Sequence, residues 1–178
     1  MGPEDDPLIA AWTFDDRMGC VALLRLLEAM KKEKIRPRRP MMIAFTMHEE
    51  GSCHGAMALS QRLQPEIVLA VDGCPVTPEQ RLALDGRPAV WARDKRGIYD
   101  PKLVEYLCRL GREERIDVQR AVYDSAGSDA SAAYAVGAAE RIGFLGHVRE
   151  NSHGYEVARL SVFDHVLTLL KRFVAEFE

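Results

Sequence analysis

The chain has 178 residues, 47% of them hydrophobic and 29% charged, with a formal net charge of −3. That balance excludes collagen-like, low-complexity and disordered classes, and it offers no electrostatic reason for a nucleic-acid partner. The length suits one globular domain, residues 1–178, with a substantial core.

Taken in chain order, the acidic opening MGPEDDPLIA shows no basic region followed by an apolar stretch, and no run reaches the roughly 18 apolar residues of a membrane span. A cytoplasmic protein without membrane contact is the expectation. Residues 20–32 place Val21, Leu23, Leu24, Leu27 and Met30 at helical spacing, an amphipathic helix. Arg36, Arg38 and Arg39 are interrupted by Pro37 and Pro40 and read as a solvated loop. MMIAFTM, 41–47, is a continuous apolar run of the kind buried on both faces of a sheet. HEEGSCHG then forms a loop, 55–64 a short helix, and IVLAV, 67–71, a second buried strand. Further strands are expected at 88–92, 118–122 and 142–145, and helices at 101–115, 129–140 and 161–177. Leu103, Leu107 and Leu110 are core positions of the first of these helices. Val162, Val166, Leu169, Leu170 and Phe173 serve the last. Repeated alternation of strands and helices predicts an α/β fold, a mainly parallel or mixed sheet sandwiched by helices. Cys20, Cys53, Cys74 and Cys108 form no C-x-x-C pair and are expected reduced.

In such sheets functional groups gather beyond the carboxyl ends of strands. Asp15-Asp16, Glu49-Glu50, Asp72, and His153 with Glu156 fall at such places. Glu49 and Glu50 follow the run 41–47, and Asp72 follows 67–71, so carboxylates should converge at one sheet edge. Like charges a few ångströms apart raise one another's pKa, and divalent cations neutralise them most economically. A mixed carboxylate and imidazole set suits zinc, with cobalt or manganese as substitutes. Each cluster taken alone also has an ordinary reading: an aspartate pair as a helix cap, a glutamate pair as a wet face.

The segments FDDRMG (14–19), FTMHEEGSCHGA (45–56), VLAVDG (68–73), AGSDASAA (126–133) and NSHGYE (151–156) resemble the ordered motif set of the tetrahedral, self-compartmentalising metalloaminopeptidases. That family includes glutamyl and leucyl aminopeptidases and relatives named cellulases or endoglucanases. The resemblance implies a zinc-aminopeptidase-like three-layer fold and up to two divalent ions. Asp15 would bridge them, Glu50 and His153 would complete one site, and Asp72 would belong to the other. It also implies Glu49 as general base, Asp16 as an orienting catalytic residue joined to Asp15 by a cis peptide, and Gly127, Ser128 and Asp129 as a turn beside the substrate. Asp129 equally suits the N-cap of the helix 129–140. His48 and His54 are read as non-ligands, and His147 and His165 as surface or packing residues.

The family's upstream His-x-Asp segment and inserted assembly domain have no counterpart, so the match is to the C-terminal catalytic portion. The site of Asp15, Glu50 and His153 is therefore expected to hold metal better than the site of Asp15 and Asp72. The expected function is metal-dependent removal of N-terminal residues from small peptides, with self-assembly left open. The alternative is a catalytically incomplete metal- or peptide-binding member. A glycosidase using paired carboxylates has little support, because aromatic residues are only 7% of the chain.

Overall fold

The computed structural model describes residues 6–178. Twelve elements follow one another in the described residues: β1 (Leu8–Trp12), α1 (Phe14–Lys32), α2 (Glu49–Ser52), α3 (His54–Leu63), β2 (Ile67–Pro75), β3 (Ala89–Arg93), α4 (Pro101–Glu113), β4 (Gln119–Val122), α5 (Asp129–Ala135), β5 (Arg141–Glu150), β6 (Tyr155–Arg159) and α6 (Ser161–Glu176).

The six strands form one mixed sheet in the order β1-β6-β5-β3-β4, with β2 also paired to β5. β2 runs parallel to β5 from Ile67↔Arg141 to Pro75↔Arg149, and β3 runs parallel to β4. β1 with β6, β5 with β6, and β3 with β5 are antiparallel. β5 is central, and residues 142–149 are all buried, as expected of a strand covered on both faces. Trp91 on β3 stacks on Phe144 of β5 with ring centroids 4.0 Å apart. Its indole N–H is satisfied by Cys74 Sγ at 3.3 Å.

α4 begins as its sequence dictates: Asp100 caps the free N–H groups of Lys102 and Leu103, and Pro101 occupies the first turn, where no N–H is needed. Its Leu103, Leu107 and Leu110 are fully buried, each burial being worth roughly 1.5–3 kcal/mol. On α6 the predicted Val162, Val166, Leu169 and Leu170 are buried, and Phe173 packs partly buried against the same core. No helix of the described residues is long and apolar enough to cross a membrane.

Three expectations are corrected. The run 41–47 forms no strand, and Met42 and Met47 are 62% and 69% exposed. An apolar run becomes a doubly buried strand only when a neighbour supplies its ladder and layers cover both faces. Here only Ile43 packs against the core. α1 starts earlier than its periodic run and turns a shifted face inward: Ala22, Leu26 and Ala29 are buried and the expected Leu23 and Met30 pack partly buried against the core, while Val21, Leu24 and Leu27 are exposed. The small alanines let the helix approach β2 and α6 closely, which the larger side chains would prevent. The helix expected over 129–140 stops at Ala135, where Gly137 adopts positive φ and ends it.

Candidate metal centre

β1 delivers the chain to Asp15 and Asp16 at the start of α1, and the peptide joining them is cis. The β1–β6 ladder sets Ala11 opposite Glu156. Glu156 points into the interior and is fully buried. Its Oε2 accepts from the Asp15 amide at 2.9 Å, and its Oε1 accepts from the His153 amide at 3.2 Å. Arg149, at the end of β5 and 2% exposed, lies with Nη1 3.2 Å from Glu156 Oε1 and donates through Nη2 to Asp15 Oδ2. Gly73 makes room for it, since an added Cβ would fall 2.3 Å from Arg149 Nε. The buried Arg149–Glu156 pair thus fixes where Asp15 and His153 sit.

Two groups of possible ligands share Asp15. In the first, His153 Nε2 is 3.0 Å from Glu50 Oε2 and 3.4 Å from Asp15 Oδ2. In the second, ligand atoms of Asp15, Asp16 and Asp72 lie within 4.8 Å of one another, as do those of the first. The first offers imidazole and carboxylate, the second oxygen alone. Both fit a small divalent cation in donor type and spacing. The electrostatics point the same way: burial pushes Asp16 up to about 8, against a hydrogen bond from the Gly19 amide, and the Asp15 carboxylate adds to the rise. Burial, then the Asp16 and Asp15 carboxylates, raises Asp72 well above the usual carboxylate range, and burial with Asp15 raises Glu50. A bound cation would reverse these shifts.

Glu49 is next to Glu50 on the one-turn helix α2 but faces a different group. Cys53 Sγ lies 3.5 Å from Glu49 Oε1, and Glu49, Cys53 and Asp129 converge. Burial and Asp129 raise the Glu49 carboxyl, and burial and Glu49 push the Cys53 thiol up to about 12. Thr46 donates to Asp129 Oδ2. The N-cap of α5 is Ser128, not Asp129: its Oγ accepts from the Ser131 amide at 3.3 Å and lies 2.7 Å from Tyr99 Oη. Ser128 is fully buried, while Gly127 and Asp129 on either side of it are half-buried. His147 is buried on β5, and burial lowers it to about 3.

The shifts carry a pH dependence. A carboxyl raised in the folded state stabilises fully below its unfolded pKa and loses that contribution as pH rises through the folded value. For Asp16 the window runs from 3.8 to about 8. His147, lowered from 6.5 to about 3, acts oppositely, its contribution lost as pH falls below 6.5. From pH 6.5 to 8, therefore, the carboxylates dominate. In the presence of a chelator the melting temperature is expected to fall over that interval, and a flat or rising profile there would contradict the buried carboxylate cluster.

The sequence flags Glu156 together with His153, but it points to no role for Arg149, Cys53 or Arg96. The one available signal was a charge inside the otherwise apolar stretch 142–149, because a buried strand keeps a guanidinium only where acids meet it.

Residues 4–169 match the M42 glutamyl aminopeptidase family. The chain belongs to that family. It is 28% identical over 162 residues to YhfE of Bacillus subtilis (strain 168), a protein designated an aminopeptidase, covering 90% of this chain and 45% of that one. Among solved structures, an aminopeptidase of Desulfurococcus kamchatkensis superposes with a TM-score of 0.80 at 25% identity, over 95% of this chain and 49% of that one. A TET aminopeptidase from a marine-sediment Thaumarchaeota archaeon gives a TM-score of 0.90 at 17% identity, over 100% and 51% of the two chains. That likeness shows the fold. The chain spans about half the length or less of the relatives it matches.

Proposed function

We propose that the protein is a metal-dependent aminopeptidase that releases N-terminal residues from small peptides. The observation that carries this reading is the convergence of Asp15, Asp16, Asp72, Glu50 and His153 into two ligand groups joined at Asp15. Asp15, Glu50 and His153 would hold one ion, Asp15 and Asp72 a second and weaker one, with zinc first and cobalt or manganese as substitutes. Bound there, such cations polarise a scissile carbonyl and make water acidic at neutral pH.

The chain's own residues supply the rest. Glu49 takes a proton from the attacking water at a carboxylate oxygen and returns it to the leaving amine, a role its raised proton affinity suits. Asp16, through its Oδ1 contact with the Gly19 amide at 3.0 Å, steadies the start of α1 behind Asp15. The excess of carboxylates favours a substrate carrying a free ammonium group, which supports an exopeptidase acting at the N-terminus. Gly127 and Asp129 border the substrate, with Ser128 holding their turn.

A second reading is a metal- or peptide-binding member without turnover, and the all-oxygen character of the Asp15, Asp16 and Asp72 group favours it. Zinc-, cobalt- or manganese-supplemented protein should hydrolyse aminoacyl amides with a free amine, not their N-acetylated forms, and a chelator should abolish the activity. Zinc binding without any hydrolysis above background would select the second reading.

A further inference from the structure

A third set of metal-ligand side chains stands apart from Asp15. Glu49 opens the one-turn helix α2 and Cys53 follows its end, four residues on, the spacing that puts two side chains on one helical face. Cys53 adopts positive φ, and its amide donates to His48 O at 2.8 Å and Glu49 O at 3.1 Å, so the turn closes on itself. Cys53 is 1% exposed, and its sulfur lies 3.5 Å from Glu49 Oε1. Asp129, at the start of α5, completes the set: ligand atoms of Glu49, Cys53 and Asp129 all lie within 4.8 Å of one another.

This set contains a thiol, which the two groups at Asp15 lack. Asp129 Oδ2 accepts from Thr46, but Oδ1 is buried and accepts from no donor. A buried carboxylate oxygen left that way is costly unless a ligand meets it. Two atoms bound to one tetrahedral zinc, at about 2.3 Å through sulfur and about 2.1 Å through oxygen, stand about 3.6 Å apart. The Cys53 sulfur and the Glu49 oxygen already have that spacing. Arg96 Nη1 donates to the same sulfur at 3.4 Å, a contact that favours the thiolate a metal requires. Glu49 and Asp129 are half-buried, so the set is open to an entering ion.

We infer that Glu49, Cys53 and Asp129 form a separate, inhibitory site for a thiophilic divalent cation, zinc or cadmium. Binding forms a metal–sulfur bond, releases the thiol proton to solvent and changes no oxidation state. Burial and Glu49 hold that proton tightly, so the site fills only when metal exceeds what the groups at Asp15 take up. Protein loaded to those groups alone leaves it empty. Once filled, the site occupies the Glu49 carboxylate and withdraws it from proton transfer. That effect on turnover rests on the aminopeptidase reading; the binding of metal does not.

Cadmium reports the site directly, because a thiolate ligand gives an ultraviolet sulfur-to-metal charge-transfer band that oxygen and nitrogen ligands do not. Zinc-loaded protein titrated with cadmium in thiol-free buffer should show that band, saturating at one cadmium per chain. It should vanish in Cys53→Ser and persist in Cys20→Ser. In Glu49→Gln and in Asp129→Asn it should need at least about tenfold more cadmium, since losing even an outer partner of a ligand costs that much. Absence of the band, a band carried by another cysteine, or a midpoint that Glu49→Gln or Asp129→Asn leaves unchanged overturns the site. Excess zinc should suppress hydrolysis of aminoacyl amides, with Cys53→Ser requiring at least about tenfold more zinc for the same suppression. Equal zinc sensitivity of the two proteins overturns the inhibitory role. Protein that hydrolyses nothing at any zinc level would count against the aminopeptidase reading, while the cadmium band still decides whether the site exists.

Discussion

Glu49→Gln is expected to lower turnover of aminoacyl amides by about 10²–10⁴, the contribution a positioned general base makes, with zinc stoichiometry unchanged. The separation follows from geometry. Glu50 faces His153 and Asp15, whereas the Glu49 carboxylate, one residue away on α2, faces Cys53 and Asp129. A metal-bound oxygen set cannot also collect a proton, so on the proposed reading adjacent glutamates aimed in different directions would divide the work. Glutamine keeps the shape and the contact to Cys53 while losing the proton-accepting charge. Rates measured with equal zinc loading decide the matter. Identical rates for both proteins would remove Glu49 from the chemistry, and loss of zinc along with rate would reassign it as a ligand.

Arg149→Met should destabilise the chelator-treated protein by about 3–5 kcal/mol, the cost of breaking a buried ion pair by deleting one partner. Arg149 is 2% exposed and lies between Asp15 and the fully buried Glu156. Methionine roughly preserves the volume, so the loss reports charge rather than a cavity. Two interior carboxylates would then face each other uncompensated, next to Asp16 and Asp72. Zinc should recover part of the loss, because a cation bound at Asp15 restores positive charge and stabilises by mass action. Urea denaturation with chelator and with zinc measures both effects. A loss under about 1 kcal/mol, typical of an exposed pair, would show that the guanidinium is not what balances the cluster.

Legibility in the sequence varied with how local the cause was. IVLAV, the leucine spacing of α4 and the proline at its start announce their structures, because neighbours along the chain determine them. β1 and β6 went unread. The inward positions of YEVAR are Glu156 and Ala158, so a strand that buries a charge inverts the alternation by which strands are recognised. The run 41–47 failed in the other direction, since an apolar stretch states what must be covered and not whether anything covers it. On α1 the largest hydrophobic residues suggested the buried face, but close approach to β2 and α6 selected Ala22, Leu26 and Ala29.

The sequence by itself determined most of the strands and helices and which acids and imidazole are gathered, through side-chain periodicity and the chemistry of residue types, although Glu49 and Glu50 stand on the short helix α2 and not at the end of a strand. Only the tertiary structure decided that Asp15 is shared by both ligand groups, that Arg149 and Glu156 anchor it from the interior, and that Arg96 faces Glu49 across one sulfur atom. The physical reason is range. Propensity and periodicity act over a few residues, whereas Asp15 meets Glu156 across 141 positions and Arg96 meets Cys53 across 43. Contacts at that separation come from sheet register and crossover, which no local pattern encodes.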